Sequence, residues 1–105
     1  MLKSLEIGFK NTKILKKYCG EKNIIFLSTP LDDQSLDELV KLNLNAYKIS
    51  STDINNPLLL TKIAKLKKPI FLSCGMSDIS EVEMALKLIS KFNNKVVLLQ
   101  CTANY

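Results

Sequence analysis

Lys48, near the end of the apolar run Ala46-Tyr47-Lys48-Ile49-Ser50, is the residue of this chain best placed for chemistry. Thr29 lies 19 residues before it and Ser73 25 residues after it, while Ser51 and Asp53 follow at once. A cation among neutral hydroxyl donors is the combination that holds a phosphate or carboxylate without over-neutralising it. Charge-assisted hydrogen bonds contribute roughly 1.5–3 kcal/mol each, so a few hold a small anion. Asp53 has the chemistry of a general acid or base, a role worth typically about 10²–10⁴-fold in rate. Taken singly, each residue has a plainer alternative. A strand lysine can snorkel from an exposed edge, Ser and Thr are common where strands turn into loops, and Asp53 before Asn55-Asn56-Pro57 also suits an Asx turn.

These residues stand at or just beyond the ends of apolar runs that read as strands. The runs are residues 24–28 (followed by Thr29-Pro30), 46–50, 70–73 and 96–102. Within the second run, alternation puts Lys48 and Ser50 on one side and Tyr47 and Ile49 on the other. A parallel strand is normally apolar on both faces, and an unpaired buried charge is costly, so Lys48 must reach water, an acid or an anionic ligand.

Amphipathic stretches separate the strands. Ile14, Leu15 and Tyr18 recur at helical spacing over residues 11–19, and Gly20 stands where a C-terminal glycine cap belongs. Ser35-Leu36-Asp37-Glu38 reads as a capping box, with Leu36, Leu39 and Val40 inward and a helix end near Leu42. Asn56-Pro57 supplies an N-cap and a first-turn proline to a helix carrying Leu59, Ile63 and Leu66, stopped by Lys67-Lys68-Pro69. Asp78 and Glu81 cap a last helix, with Val82, Ala85, Leu86 and Ile89 inward and Asn93-Asn94 at its end. Strands alternating with helices imply a parallel sheet, whose ligands gather beyond the carboxyl ends of the strands. Gly75-Met76, after the third strand, is either a tight turn that lets backbone amides approach a ligand or a plain loop.

The strand ends Ser28, Ser50, Ser73 and Cys101 are spaced by 22, 23 and 28 residues, the rhythm of compact βα units. A closed (β/α)₈ barrel takes eight strands and typically about 250 residues. Four strands therefore make either a small open sheet or part of a larger protein.

A chain of 105 residues with 47% hydrophobic content is one domain at most. Its apolar stretches are far short of the roughly 20 residues that cross a bilayer, and its start lacks a continuous apolar signal core. The cytoplasm is the expected location, with no membrane partner. Three cysteines without a C-x-x-C pair suit reduced thiols, and Cys74 has no activating neighbour that would make it a nucleophile. The absence of His excludes histidine-based triads and imidazole metal ligands from this chain taken alone. The net charge of +5 is scattered over helical faces and there is no Trp, which argues against a nucleic-acid partner.

Four strings, in order and in register, resemble the N-acetylneuraminate (sialic acid) synthase family. They are Phe26-Leu27-Ser28-Thr29-Pro30, Ala46-Tyr47-Lys48-Ile49-Ser50-Ser51-Thr52-Asp53, Lys68-Pro69-Ile70-Phe71-Leu72-Ser73-Cys74-Gly75-Met76 and Leu99-Gln100-Cys101-Thr102-Ala103-Asn104-Tyr105. The resemblance implies a segment, residues 1–105, of a (β/α)₈ TIM barrel, with about four βα units and incomplete at both ends. It also implies condensation of phosphoenolpyruvate with N-acetylmannosamine or a related N-acetylated sugar, release of phosphate, help from Mn²⁺ or Mg²⁺ with no metal ligand in this chain, and a homodimer in the full-length enzyme.

By residue match, Lys48, Thr29, Ser51 and Ser73 bind phosphoenolpyruvate, and Asp53 stands where the family has a catalytic Glu or Asp. Ala103 or Asn104 falls where the family supplies a phosphate-contacting Asn or Ser, and Asn104 is the residue taken for that role. Thr52 occupies a position that is often Gly, so a turn needing positive φ is in question there, and Gln100 replaces a frequent His. Legionaminic or pseudaminic acid synthesis is the alternative within the same chemistry, and a non-catalytic anion-binding remnant the alternative outside it. The 105 residues on their own are expected not to catalyse, with exposed strand edges and apolar surface seeking a partner.

Overall fold

In the computed structural model, which describes residues 9–30, 32–75 and 77–100, helices and parallel strands alternate. The order is α1 (Phe9–Glu21), α2 (Asp33–Lys41), β1 (Tyr47–Ile49), α3 (Pro57–Ala64), β2 (Ile70–Ser73), α4 (Ile79–Ser90) and β3 (Val96–Leu99), with a 3₁₀ turn at Ser51–Asp53 after β1. The strands pair in chain order, β1-β2-β3, all parallel. Neighbours in chain order without a reversal are the arrangement found along the arc of a barrel.

Alternation and register divide the sheet into two faces. Tyr47, Ile49, Ile70 and Leu72 are at most 2% exposed and form one core with Leu36 and Leu39 of α2, Leu59, Leu60, Ile63 and Ala64 of α3, and Ala85 and Ile89 of α4. The helices thus cover one face. Lys48, Phe71 and Val97 are in register with one another and occupy the other face. Val97 and Leu98 on β3 are each 46% exposed, as expected of strand surface seeking a further layer.

The first apolar run differs from the expectation of a full strand. Residues 24–28 join the sheet through a single parallel bridge, Ser28 to Tyr47, with the Lys48 N–H donating to the Ser28 carbonyl at 3.2 Å. Ile24 and Ile25 are 60% and 68% exposed. With so little packed against them, only the end of the run is held in a ladder.

The expected caps are found on two helices. Asn56 accepts from the Leu59 N–H at 3.4 Å ahead of Pro57. Asp78 and Glu81 form a reciprocal capping box, at 2.9 Å and 3.1 Å. On α2 the cap is Asp32 rather than Ser35, because the helix starts earlier and Ser35 becomes the donor to Asp32 at 2.7 Å. On α1 the expected glycine cap is displaced as well. Gly20 lies inside the helix, and Asn23 takes the left-handed conformation at φ 59°. Ile24 N–H to Cys19 O (2.8 Å) and Asn23 N–H to Gly20 O (3.2 Å) close a Schellman motif around it.

At the N-terminal ends of the strands, buried Asn93 staples two loops together. Its Nδ2 donates to the Lys68 carbonyl and its Oδ1 accepts from the Lys95 N–H, both at 2.8 Å. Lys67, in the left-handed region at φ 62°, sends its ammonium to the Phe92 carbonyl, where a cation suits the end of α4.

Two outcomes follow from this architecture. Gly20 is helical and a Cβ there would meet nothing within 4 Å, so Gly20→Ala is expected to stabilise the fold by about 0.5–1 kcal/mol; a urea midpoint that moves down would contradict the helix end described. Asp78 is held below its ordinary value of 3.8 by the Glu81 N–H and the Ser80 hydroxyl, and Asp32 likewise by the backbone N–H and hydroxyl of Ser35. The folded state therefore prefers the ionised forms. Their contribution is complete above the unfolded value and disappears as pH falls through the lower folded values. Asp78→Asn keeps the cap acceptor, so acid titration by circular dichroism should show a smaller loss of helix below about pH 4 in that variant.

Candidate functional site

The carboxyl ends of the strands carry the polar residues. The Ser28–Tyr47 bridge brings the next residue, Thr29, level with Lys48, and Phe71 and Val97 continue that row. Two residues on, and so on the same face, Ser73 pairs with Leu99, and Ser50 follows Ile49, whose partner is Leu72. Thr29, Lys48, Ser50 and Ser73 thus gather on the sheet face opposite the helices. Thr29 is half-buried, and Pro30 behind it belongs to the fully buried set.

Two groups in this row are unspent. The Lys48 ammonium, half-buried beside Phe71, makes no ion pair or hydrogen bond with any described residue. Ser73 is 3% exposed, and its buried hydroxyl has no hydrogen-bond partner among the described residues. A hydroxyl left so costs roughly 1–3 kcal/mol, and buried polar groups are nearly always satisfied. The two groups together offer a positive charge and a dry donor to an anion above the strand ends.

Ser51 and Asp53 lie on the 3₁₀ turn that leaves β1. Ser50 caps it: its Oγ accepts from the Thr52 N–H at 3.3 Å and lies 3.0 Å from the Thr52 Oγ1, while its carbonyl accepts from the Asp53 N–H at 2.9 Å. The expected difficulty at Thr52 does not arise, since its φ is not positive. Asp53 does share in a turn, its carbonyl accepting from the Asn56 N–H at 3.0 Å, but its half-buried side chain has no ion pair among the described residues.

After β2, the Ser77 N–H donates to the Cys74 carbonyl at 3.2 Å, and Gly75 lies in a turn, while Met76 lies outside the described residues. Asn104, expected on the rim after the fourth strand, lies outside the described residues. Sequence reasoning missed the Ser50–Thr52 pair, although two hydroxyl residues spaced by two at a strand end are the signature of such a turn.

The described residues include no group of three or more His, Cys, Asp or Glu suited to a metal ion. The donor set present therefore does not fit the divalent cation implied by resemblance. A cleft lined by Lys16, Gly20, Asn23, Ile24, Ile25, Phe26 and Asn45 lies toward the opposite ends of the strands. It contains no rim residue, and the unspent donors mark the site better than this concavity does. No described helix is long and apolar enough to cross a membrane.

Comparison with known proteins bears on this rim. The NeuB family matches residues 1–105. The chain is 44% identical to the N,N'-diacetyllegionaminic acid synthase of Campylobacter jejuni over 108 residues, covering 100% of this chain and 32% of that protein. Its fold matches the N-acetylneuraminic acid (sialic acid) synthetase of Leptospira borgpetersenii with a TM-score of 0.89 at 35% identity, over 95% of this chain and 35% of that one. The phospho-2-dehydro-3-deoxyheptonate aldolase of Thermotoga maritima shares the fold at a TM-score of 0.79 and 21% identity, over 88% of this chain and 28% of that one. The α/β fold with parallel strands, a partial barrel, is thereby established. The chain spans about a third of the length of the curated relatives it matches.

The state of Ser73 yields a paired expectation. Ser73→Ala removes an unsatisfied buried hydroxyl, so it should leave stability unchanged or raise it by about 1 kcal/mol, while weakening retention of an anion on the rim. Thermal unfolding with and without added phosphoenolpyruvate separates the two effects. A variant less stable than the parent would mean that the hydroxyl has a partner.

Proposed function

The chain belongs to the NeuB family, and from that premise we propose that the protein it forms part of condenses phosphoenolpyruvate with N-acetylmannosamine or a related N-acetylated sugar and releases phosphate. The observation that carries this reading is the pairing of an unspent ammonium, Lys48, with an unspent buried hydroxyl, Ser73, on one sheet face at the carboxyl ends of parallel strands. That is a receptor for a doubly anionic substrate. Phosphoenolpyruvate carries a carboxylate and a phosphate, which need at least two separated donor sets.

In this reading Lys48, Thr29, Ser51 and Ser73 hold the two anionic groups, and Asn104 adds a phosphate contact. The enol carbon forms a bond to the aldehyde carbon of the sugar as the carbonyl π bond breaks and its oxygen takes up a proton, leaving a cation at the neighbouring carbon. Water adds there, and the phosphate leaves with cleavage of its C–O bond. Fixing both anionic groups sets the face of the enol that meets the aldehyde, which is catalysis by orientation. Asp53 accepts the proton of the added water or steadies the cation. A divalent cation such as Mn²⁺ or Mg²⁺ would supply Lewis-acid polarisation of the aldehyde, and the described residues of this segment offer no ligand set for it.

On the same reading the chain is a central segment of the synthase barrel, incomplete at both ends, in a cytoplasmic enzyme that pairs as a homodimer. A legionaminic or pseudaminic acid synthase is the second reading, its legionaminic form supported by the similarity to the Campylobacter synthase. A non-catalytic anion-binding segment would keep the rim and lack the turnover.

The test is phosphate release by the complete protein that contains this segment, with phosphoenolpyruvate, Mn²⁺ and each candidate sugar in turn. Release that requires one sugar supports the reading and names the substrate; binding of phosphoenolpyruvate without release from any sugar sinks it. Lys48→Ala should raise the KM for phosphoenolpyruvate by roughly 10- to 100-fold, the loss of a charge-assisted contact. An unchanged KM and kcat would remove Lys48 from the site.

A further inference from the structure

The turn that carries Ser51 and Asp53 is bonded at both ends. Ser50 contributes its hydroxyl to the Thr52 N–H at 3.3 Å and to the Thr52 Oγ1 at 3.0 Å, and its carbonyl to the Asp53 N–H at 2.9 Å. On the far side the Asp53 carbonyl accepts from the Asn56 N–H at 3.0 Å, and Asn56 itself caps α3. Asp53 is thus strung between the end of β1 and the start of α3. Its backbone is fixed on both sides while its carboxylate has no ion pair among the described residues.

Ser50 and Ser73 follow paired residues of adjacent strands, yet they are in opposite states. The Ser50 hydroxyl is occupied by Thr52, and the Ser73 hydroxyl has no partner among the described residues. The first is engaged in holding the turn, and the second is available to a ligand.

We propose that the Ser50–Thr52 hydroxyl pair is the positioning device for the rim, with Thr52 as a positioning residue that sets Asp53 through Ser50. The inference rests on the condensation reading for what Asp53 does, but not for how Asp53 is held. Thr52 is exposed and takes no part in the core, so its hydroxyl serves the geometry of the turn rather than the stability of the sheet.

The experiment compares Thr52→Val, which keeps the shape and removes the hydroxyl, with Thr52→Ser, which keeps the hydroxyl, in the complete protein. Thr52→Val should lower kcat by roughly 3- to 10-fold, the loss of one net hydrogen bond expressed in the transition state, with the KM for phosphoenolpyruvate changed less than about twofold. Thr52→Ser should restore kcat to within about twofold of the parent. Amide exchange at Asp53 should quicken in the valine variant only. The proposal is overturned if Thr52→Val keeps the parent kcat and exchange, or if Thr52→Ser falls as far as Thr52→Val. Should the parent release no phosphate from phosphoenolpyruvate, the condensation reading fails. The exchange comparison then decides on its own, and equal Asp53 exchange in the parent and both variants overturns the positioning role.

Discussion

Parallel pairing in chain order commits Tyr47, Ile49, Ile70 and Leu72 to the helical side, and because side chains alternate, that commitment throws Lys48, Phe71 and Ser73 onto the other. The rest of the molecule depends on this division. A one-residue slip in β1 would bury Lys48 among leucines and turn two core residues outward, a far larger cost than any single contact at the rim. The core that holds the sheet together therefore also sets the direction of Lys48.

The two ends of the strands are treated differently. At the N-terminal ends, Asn93 spends both faces of its amide on Lys68 and Lys95, and the Lys67 ammonium reaches the Phe92 carbonyl. At the carboxyl ends, Lys48 and Ser73 are left without such partners among the described residues. Satisfied polar groups at one end of a sheet and unsatisfied ones at the other are a departure from local consistency of the kind that binding sites show.

Local signals were legible in the sequence and distant ones were not. Asn56-Pro57 and the Asp78–Glu81 pair announced their helices because each cap is complete within four residues. Lys48 and Ser73 were legible as rim residues through strand alternation and position alone. The Schellman turn at Asn23 was hidden, since Gly20 offered the more permissive residue and the helix ran through it. Asp32 and Ser35 could each begin a helix by type, and only the packing of Leu36 and Leu39 decided between them. The Asn93 staple joins residues 25 apart in the chain, so no window of sequence contains it.

Why one rim serine is free and the other is not has a local cause. Ser50 is followed by Ser51 and Thr52, and the 3₁₀ turn folds Thr52 back so that its N–H and hydroxyl both reach the Ser50 Oγ. Ser73 is followed by Cys74, which belongs to the opposite side of the strand. The Cys74 N–H and thiol both go to the Leu99 carbonyl, at 3.0 Å and 3.5 Å, which ties the end of β2 to β3, and no described residue serves Ser73. The same residue type at equivalent strand ends is thus spent on structure in one case and held in reserve in the other. That difference is set by the two residues that follow each serine and by the bonds they make, and it leaves the Ser73 hydroxyl unsatisfied among the described residues.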